Sequence, residues 1–486
     1  MKPGFVPTGL KRLCQSISMS LSVSLSVSLS VSLSVSLLMS AGLPLALVSA
    51  MPASAASLED IYTLAVSNDP QLAAANAGYM ARREVLTQGR AGLLPTISVG
   101  ASTSQNKRTI LTATPELTEN YNDNGWQAVL RQPVFRLDSW FAFKQSKNVE
   151  AQALAQLTAE QQELIFRVAN SYLGILEAQD RWSAANAERE AVQRQLEQVQ
   201  QRFDVGLVAI TDVLESTAAF DSSTVNVIEA EGAQAVTFEA LLRLTGQPFY
   251  EVSGLSPSFP VEFPEPRDEE AWVRSALQQN YSLLAAREGV NAAQRDVQIA
   301  RSGHMPTIDA QVTMNRNNSG SRGFFGSSGT ESEQNSMALQ LNLPIYAGGA
   351  TQSRARQAGF LLEQAQRNFD LTQRTVVENT RTLYSALNTD VARVKARLRG
   401  IESSQSALDA TQTGYEVGTR NIVDVLLAQQ RLFLAQFQYA SARYQYIRDT
   451  LRLKQTVGTL SPADIADLNS YLSATAKVTK ITATTR

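Results

Sequence analysis

The sequence predicts an α/β membrane protein: a few alternating strands, pooled from several chains, close a transmembrane β-barrel that a long α-helical coiled coil continues. Three observations predict this. The chain is written twice at a constant offset. Each half carries two period-two strands. Each half also carries a helical stretch of roughly 65 residues, against about 11–12 for an ordinary globular helix.

The internal repeat fixes the organisation first, because it governs every other assignment. "LLPTI" (Leu93 to Ile97) returns as "HMPTI" (His304 to Ile308), with Pro95 and Pro306 211 positions apart. "RQPVF" returns as "NLPIY" at the same offset, 211, between Pro133 and Pro344. Gly206 and Gly418, and Gly246 and Gly458, lie 212 apart. The expected divisions are a signal peptide over 1–55, a first structural repeat over 56–246, a linker over 247–268, a second repeat over 269–458 and a C-terminal segment with a disordered tail over 459–486. Each repeat reads as helix, two barrel strands and a long helical hairpin. Five prolines between Pro248 and Pro266 forbid continuous helix in the linker.

The leader has Lys2, Lys11 and Arg12 ahead of a Ser/Leu/Val run and ends on the small-x-small signature Ala53-Ser54-Ala55. Its removal takes Cys14, the only cysteine, and leaves an exported chain without thiols.

The strands come next. In "TIDAQVTMN", Ile308, Ala310, Val312 and Met314 alternate with Thr307, Asp309, Gln311 and Thr313. "TISVGASTS" and "SMALQLNL" alternate in the same way, and "WQAVLR" begins the remaining strand at Trp126. Polar loops are expected over 108–124 and 317–334. Four strands separated by such long helices cannot build a sandwich core. In lipid an open sheet leaves backbone groups unsatisfied at several kcal/mol each, so the sheet must close. Even-stranded barrels begin at about 8 strands, so at least two chains are needed, and three give twelve strands. Thr307, Asp309, Gln311 and Thr313 supply a wettable inner face.

Between Pro133 and Gly206, and between Pro344 and Gly418, almost nothing interrupts a helix about 100 Å long at 1.5 Å per residue. Leu387, Val391, Val394, Leu398, Ile401, Gln405 and Leu408 step as a heptad seam, matched by Val192, Leu196, Val199 and Phe203. The Val-Gly pairs then turn the chain at the far tip, where a glycine suits a left-handed corner.

Composition narrows the function. Charged residues are 18% and the net charge is -2, which excludes a nucleic-acid partner. His304 is the only histidine and reads as a structural residue at a helix-to-strand junction, so no His/Cys metal site is available. No phosphate-binding loop and no nucleophile-base pair occurs, so no enzyme activity and no cofactor are expected.

The phrases "RFDVGLVAITDVL", "GHMPTID", "LPIYAGG", "GYEVGTRNIVDVL" and "ARYQYIRDTLRLKQTVGTLSPADIADLN" closely resemble the TolC family of outer-membrane efflux and type I secretion channels. The likeness spans about residues 57 to 470 and both repeats. It implies a homotrimer with a 12-stranded barrel in outer-membrane lipid. A helical barrel would cross the periplasm, with an equatorial girdle from the linker and the C-terminal segment. It also implies partners: a periplasmic adaptor (membrane fusion) protein and an inner-membrane pump or ABC exporter.

Residue by residue, the resemblance assigns three sets. Val205, Gly206, Leu207 and Val417, Gly418, Thr419 would meet the adaptor. Tyr415 and Arg420 would latch onto Thr211 and Asp212 to hold the tip shut. Asp424 would form an anionic constriction. Where the family's best-known member has a second aspartate ring, this chain has Leu427, so a single ring of carboxylates beside an apolar ring is expected. The leading function is a gated, passive exit duct. The alternative is a non-conducting envelope spacer or surface receptor, which has no need of a polar inner face.

Overall fold

The computed structural model describes residues 56–111, 117–320 and 329–481. The expected signal peptide lies outside these residues. The described chain runs α1 (Leu58–Asn68), α2 (Pro70–Ala91), β1 (Thr96–Ile110), β2 (Leu117–Phe135), α3 (Leu137–Asp204), α4 (Ile210–Thr245) and β3 (Glu251–Leu255). It continues α5 (Glu269–Gln279), α6 (Tyr281–Ser302), β4 (Thr307–Ser319), β5 (Thr330–Asn342), α7 (Ala350–Glu416), α8 (Ile422–Val457), α9 (Pro462–Ser470) and β6 (Leu472–Thr479). Corresponding helices match in length: α1 and α5 have 11 residues each, α2 and α6 have 22, α3 and α7 have 68 and 67, and α4 and α8 have 36. Among the described residues no helix is long and apolar enough to cross a membrane.

Each half opens with two helices where the sequence suggested one. Asp69 ends α1 and caps α2, accepting a hydrogen bond from the Leu72 amide at 3.0 Å, with Pro70 in the first turn. Asn280 does the same between α5 and α6, accepting from Leu283 N at 2.8 Å. A side-chain acceptor at the junction satisfies the new helix's orphan amides and lets the axis bend there.

The upper part of α3 is held by α2 and α6. Arg82 reaches Gln156 at 2.7 Å, Gln145 donates to Asp296 at 2.6 Å, and Asn148 donates to Glu288 at 2.8 Å. The lower part pairs with α4 and α8: Gln234 donates to Gln179 at 3.1 Å and Tyr444 donates to Asp180 at 2.7 Å. The main core lies where these two regimes meet. Tyr172 and Leu173 of α3, Phe238 and Leu241 of α4, Leu387 of α7 and Ile447 of α8 are buried there, with Val252 of β3 and Ile465 of α9. Each such side chain contributes about 1.5–3 kcal/mol of burial.

The segment expected as linker and tail is more ordered than its composition suggested. β3 pairs antiparallel with β6, from Glu251 opposite Thr479 to Leu255 opposite Leu472. Tyr172 anchors β3 by donating to the Ser253 carbonyl at 2.6 Å. Two strands of five and eight residues are too short for alternation to announce them. The heptad seam also needs correction. Val391 and Val394 are buried as expected, but Leu398 is 45% exposed.

The four-stranded sheet has the order β1-β2-β4-β5, all antiparallel, with β1 and β5 at its edges. Its register places every apolar row on one face. Ile97 faces Leu130, Leu130 faces Val312, and Val312 faces Met337. One level on, Val99, Ala128 and Met314 align. The other face carries Ser98, Gln311, Thr313 and Ser336. β2 does not begin at Trp126 but nine residues earlier, at Leu117, and the strands enter both expected loops. "LTENYNDNG" has no apolar alternation because that end of the ladder lies beyond the apolar band, where pairing needs only backbone groups.

Candidate functional site

The two hairpin tips are built alike. At the end of α3, Gly206 has φ +78°; its amide donates to Phe203 O at 2.8 Å and the Leu207 amide donates to Arg202 O at 2.8 Å. At the end of α7, Gly418 also has φ +78°; its amide donates to Tyr415 O at 3.1 Å and the Thr419 amide donates to Gly414 O at 2.8 Å. This paired 6→1 and 5→2 bonding is a Schellman motif, which closes the last carbonyls of a helix on a left-handed residue. Glycine is needed here because a Cβ in that conformation costs about 1–2 kcal/mol.

Each return helix starts with an acid in its first turn, Asp212 in α4 and Asp424 in α8, where the helix dipole favours negative charge. Asn421 caps α8 by accepting from the Asp424 amide at 2.8 Å; Ala209 offers α4 no side-chain cap. Beneath the tips, Val192 and Val199 of α3, Val213 of α4, Leu408 of α7 and Ile422 and Val425 of α8 bury a second core. The two hairpins are thus one rigid end rather than two free loops. Beyond that core the surface is apolar and open: Val205 is 70% exposed, Leu207 72% and Val417 69%.

The latch candidates converge only in part within one chain. Arg420 Nη1 stands 3.8 Å from Asp424 Oδ2, one helical turn away, with both side chains exposed. Tyr415 packs under Arg202, whose guanidinium carbon is 5.2 Å from the ring centroid. The Tyr415 hydroxyl is buried with no hydrogen-bond partner among the described residues. Among the described residues no hydrogen bond or ion pair joins Tyr415 or Arg420 to Thr211 or Asp212 of the same chain. Leu427 is 43% exposed, three residues from Asp424 on the same helix. Arg202 was not foreseen as a site residue; its signal was its place four residues before Gly206, on the turn facing Tyr415.

At the opposite end, Asp309 is not a free polar group of the inner face. Arg136, which precedes α3, grips it with two hydrogen bonds, Nε to Oδ1 at 3.0 Å and Nη2 to Oδ2 at 2.7 Å, and it is only 9% exposed. This fork ties the sheet to the helices at the junction. His304 sits exposed in the turn between α6 and β4.

An antiparallel sheet with one apolar face, carried on two long hairpins with a shared tip, is an architecture that outer-membrane channels use. The chain matches the family model described as outer membrane efflux protein over residues 61–247 and 272–459, and it belongs to that family. It is 35% identical to "Outer membrane protein TolC" of Vibrio cholerae, over 87% of this chain and 95% of that protein. It is 30% identical to "Alkaline protease secretion protein AprF" of Pseudomonas aeruginosa, over 85% of this chain and 86% of that one. Among solved structures, the outer membrane protein VceC of Vibrio cholerae superposes with a TM-score of 0.70 at 17% identity, covering 82% of this chain and 96% of that one.

Proposed function

We propose that three copies of this chain close one 12-stranded barrel in the outer membrane and form the gated exit duct of a tripartite efflux pump or type I secretion system. The observation that carries this reading is the sheet: two edges, β1 and β5, that no other described strand pairs, and one continuous apolar face. Such a sheet is tolerable in lipid only when further copies pair its edges. The matched helix lengths and the two separate family matches support an origin by duplication.

The tips supply the gate. Asp424 of three chains makes a single anionic ring, with Leu427 as its apolar neighbour. Tyr415 and Arg420 close the tip against Thr211 and Asp212, and the unpartnered Tyr415 hydroxyl favours a contact that the single chain lacks. Each exposed ion pair is worth about 0–1 kcal/mol, so threefold repetition gives a latch of a few kcal/mol, which a partner can open. The exposed apolar knobs Val205, Leu207 and Val417 are the docking points for a periplasmic adaptor, which links the duct to an inner-membrane pump or ABC exporter. The polar inner face favours conduction over a spacer role. Planar-bilayer recording of the purified protein tests the reading: it predicts discrete, low-conductance channels, and protein that inserts without any conductance contradicts it.

A further inference from the structure

Asp390 of α7 is the most deeply buried acid among the described residues, 2% exposed. The next two, Asp69 and Asp309, each hold an arginine. Asp390 also meets one, Arg393, whose Nη1 donates to Oδ1 at 2.7 Å. Its other oxygen, Oδ2, is buried without a donor. The group within hydrogen-bonding reach across the helix pair is a second acid, Asp449 of α8. Asp449 takes one donor of its own, Gln445 Nε2 at 3.0 Å. Two ionised carboxylates accept only and repel; they bond when one carries a proton.

We propose that Asp390 and Asp449 bind one proton between them, forming a carboxylic acid–carboxylate hydrogen bond that clips α7 to α8 and releases when the proton leaves. Burial, and then the bond to Asp449 and its charge, push the Asp390 carboxyl up to about 7, against the pull of Arg393. The neighbouring elements do not neutralise the pair. Glu177 of α3 is bound to Arg448, and Asp180 accepts from Tyr444. Arg381 is held by Glu269 and Glu270 of α5, and Lys395 stacks on Phe263 of the segment before α5. Asp449 and Arg393 are the charges that act on Asp390.

The clip lies inside the main core, with Leu387 and Val391 on one side and Tyr446 and Ile447 on the other. Tyr415 and Asp424 lie on the same two helices, about 25 residues or roughly 38 Å toward the tip. The proton site rests on the α7–α8 packing alone and stands whether or not the chain conducts.

The folded carboxyl titrates above its unfolded value of about 3.9, so the stabilisation is complete below about pH 4 and is lost as pH rises to about 7. Two measurements on the purified full-length protein in detergent test this. Infrared difference spectroscopy between about pH 5.5 and about pH 8.5 is expected to show a protonated-carboxyl band disappearing near neutrality, absent from both Asp390→Asn and Asp449→Asn. Hydrogen exchange of residues 387–394, corrected for the intrinsic rate, is expected to quicken up to about tenfold per pH unit toward neutrality, and to lose that dependence in either variant. A parent protein without the band, a band that persists in both variants, or exchange whose pH dependence is unchanged by both substitutions overturns the proposal.

Discussion

Asp424 projects from the first turn of α8 with 37% of its side chain exposed, and position 427, one turn on, holds a leucine. In the proposed trimer, one carboxylate per chain at the constriction would give three where two rings would give six. Block by multivalent cations is therefore expected to be weak in the parent and to fall by a further order of magnitude or so in Asp424→Ala, read as single-channel current against blocker concentration. Block that is unchanged in that variant removes Asp424 from the constriction. Arg420 and Tyr415 carry a second prediction. In the single chain Arg420 rests 3.8 Å from Asp424 and the Tyr415 hydroxyl is unsatisfied, so neither is committed to a strong internal bond. Tyr415→Phe with Arg420→Ser is expected to raise resting conductance severalfold; a double variant as closed as the parent counts against the latch. These proposed roles rest on motif resemblance. Nothing in spacing or composition separates a gating arginine from one that merely pairs along its own helix.

At the level of elements, the twin corners give a sharper expectation. Gly206 and Gly418 share φ +78° and have open space where a Cβ would project, so alanine meets backbone strain and no clash. Gly418→Ala is expected to destabilise the tip by about 1–2 kcal/mol, seen as faster hydrogen exchange over residues 410–426 with little change near the main core. Equal exchange in variant and parent contradicts the Schellman assignment. The corners, the long helices and the apolar half of each strand could all be read from the sequence, because each rests on a local rule: a left-handed residue, an uninterrupted helical run, a period of two. What could not be read depends on partners distant in sequence. β3 and β6 are short and find each other across more than 200 residues. The first nine residues of β2 are mostly polar and gain strand structure from β1 beside them and, from Asp123 on, from β4. Asp309 turns from inner-face polarity to an anchor because Arg136 reaches it from another element.

The scale of the whole molecule is where the chain is incomplete by itself. Ile97 and Val99 on β1 are each 72% exposed, and Met337 and Leu339 on β5 are 82% and 70% exposed, all on one face of a sheet whose edges have no partner among the described residues. Lipid can cover the face, but only backbone can cover the edges. The same logic explains why the helical part looks under-packed in one chain: Val236 of α4 and Phe360 of α7 are 69% and 70% exposed along faces that a neighbouring copy would cover. Stability of the assembly should accordingly be lost with the barrel. Replacing Leu339 by proline, which removes a backbone amide from the edge strand β5, is expected to abolish heat-resistant oligomers on mildly denaturing gels while leaving helix content by circular dichroism nearly unchanged. Native mass spectrometry of the detergent-purified protein tests the central claim most directly: the account predicts a single species of three chains, and a stable one- or two-chain species that stays soluble after detergent removal would contradict it.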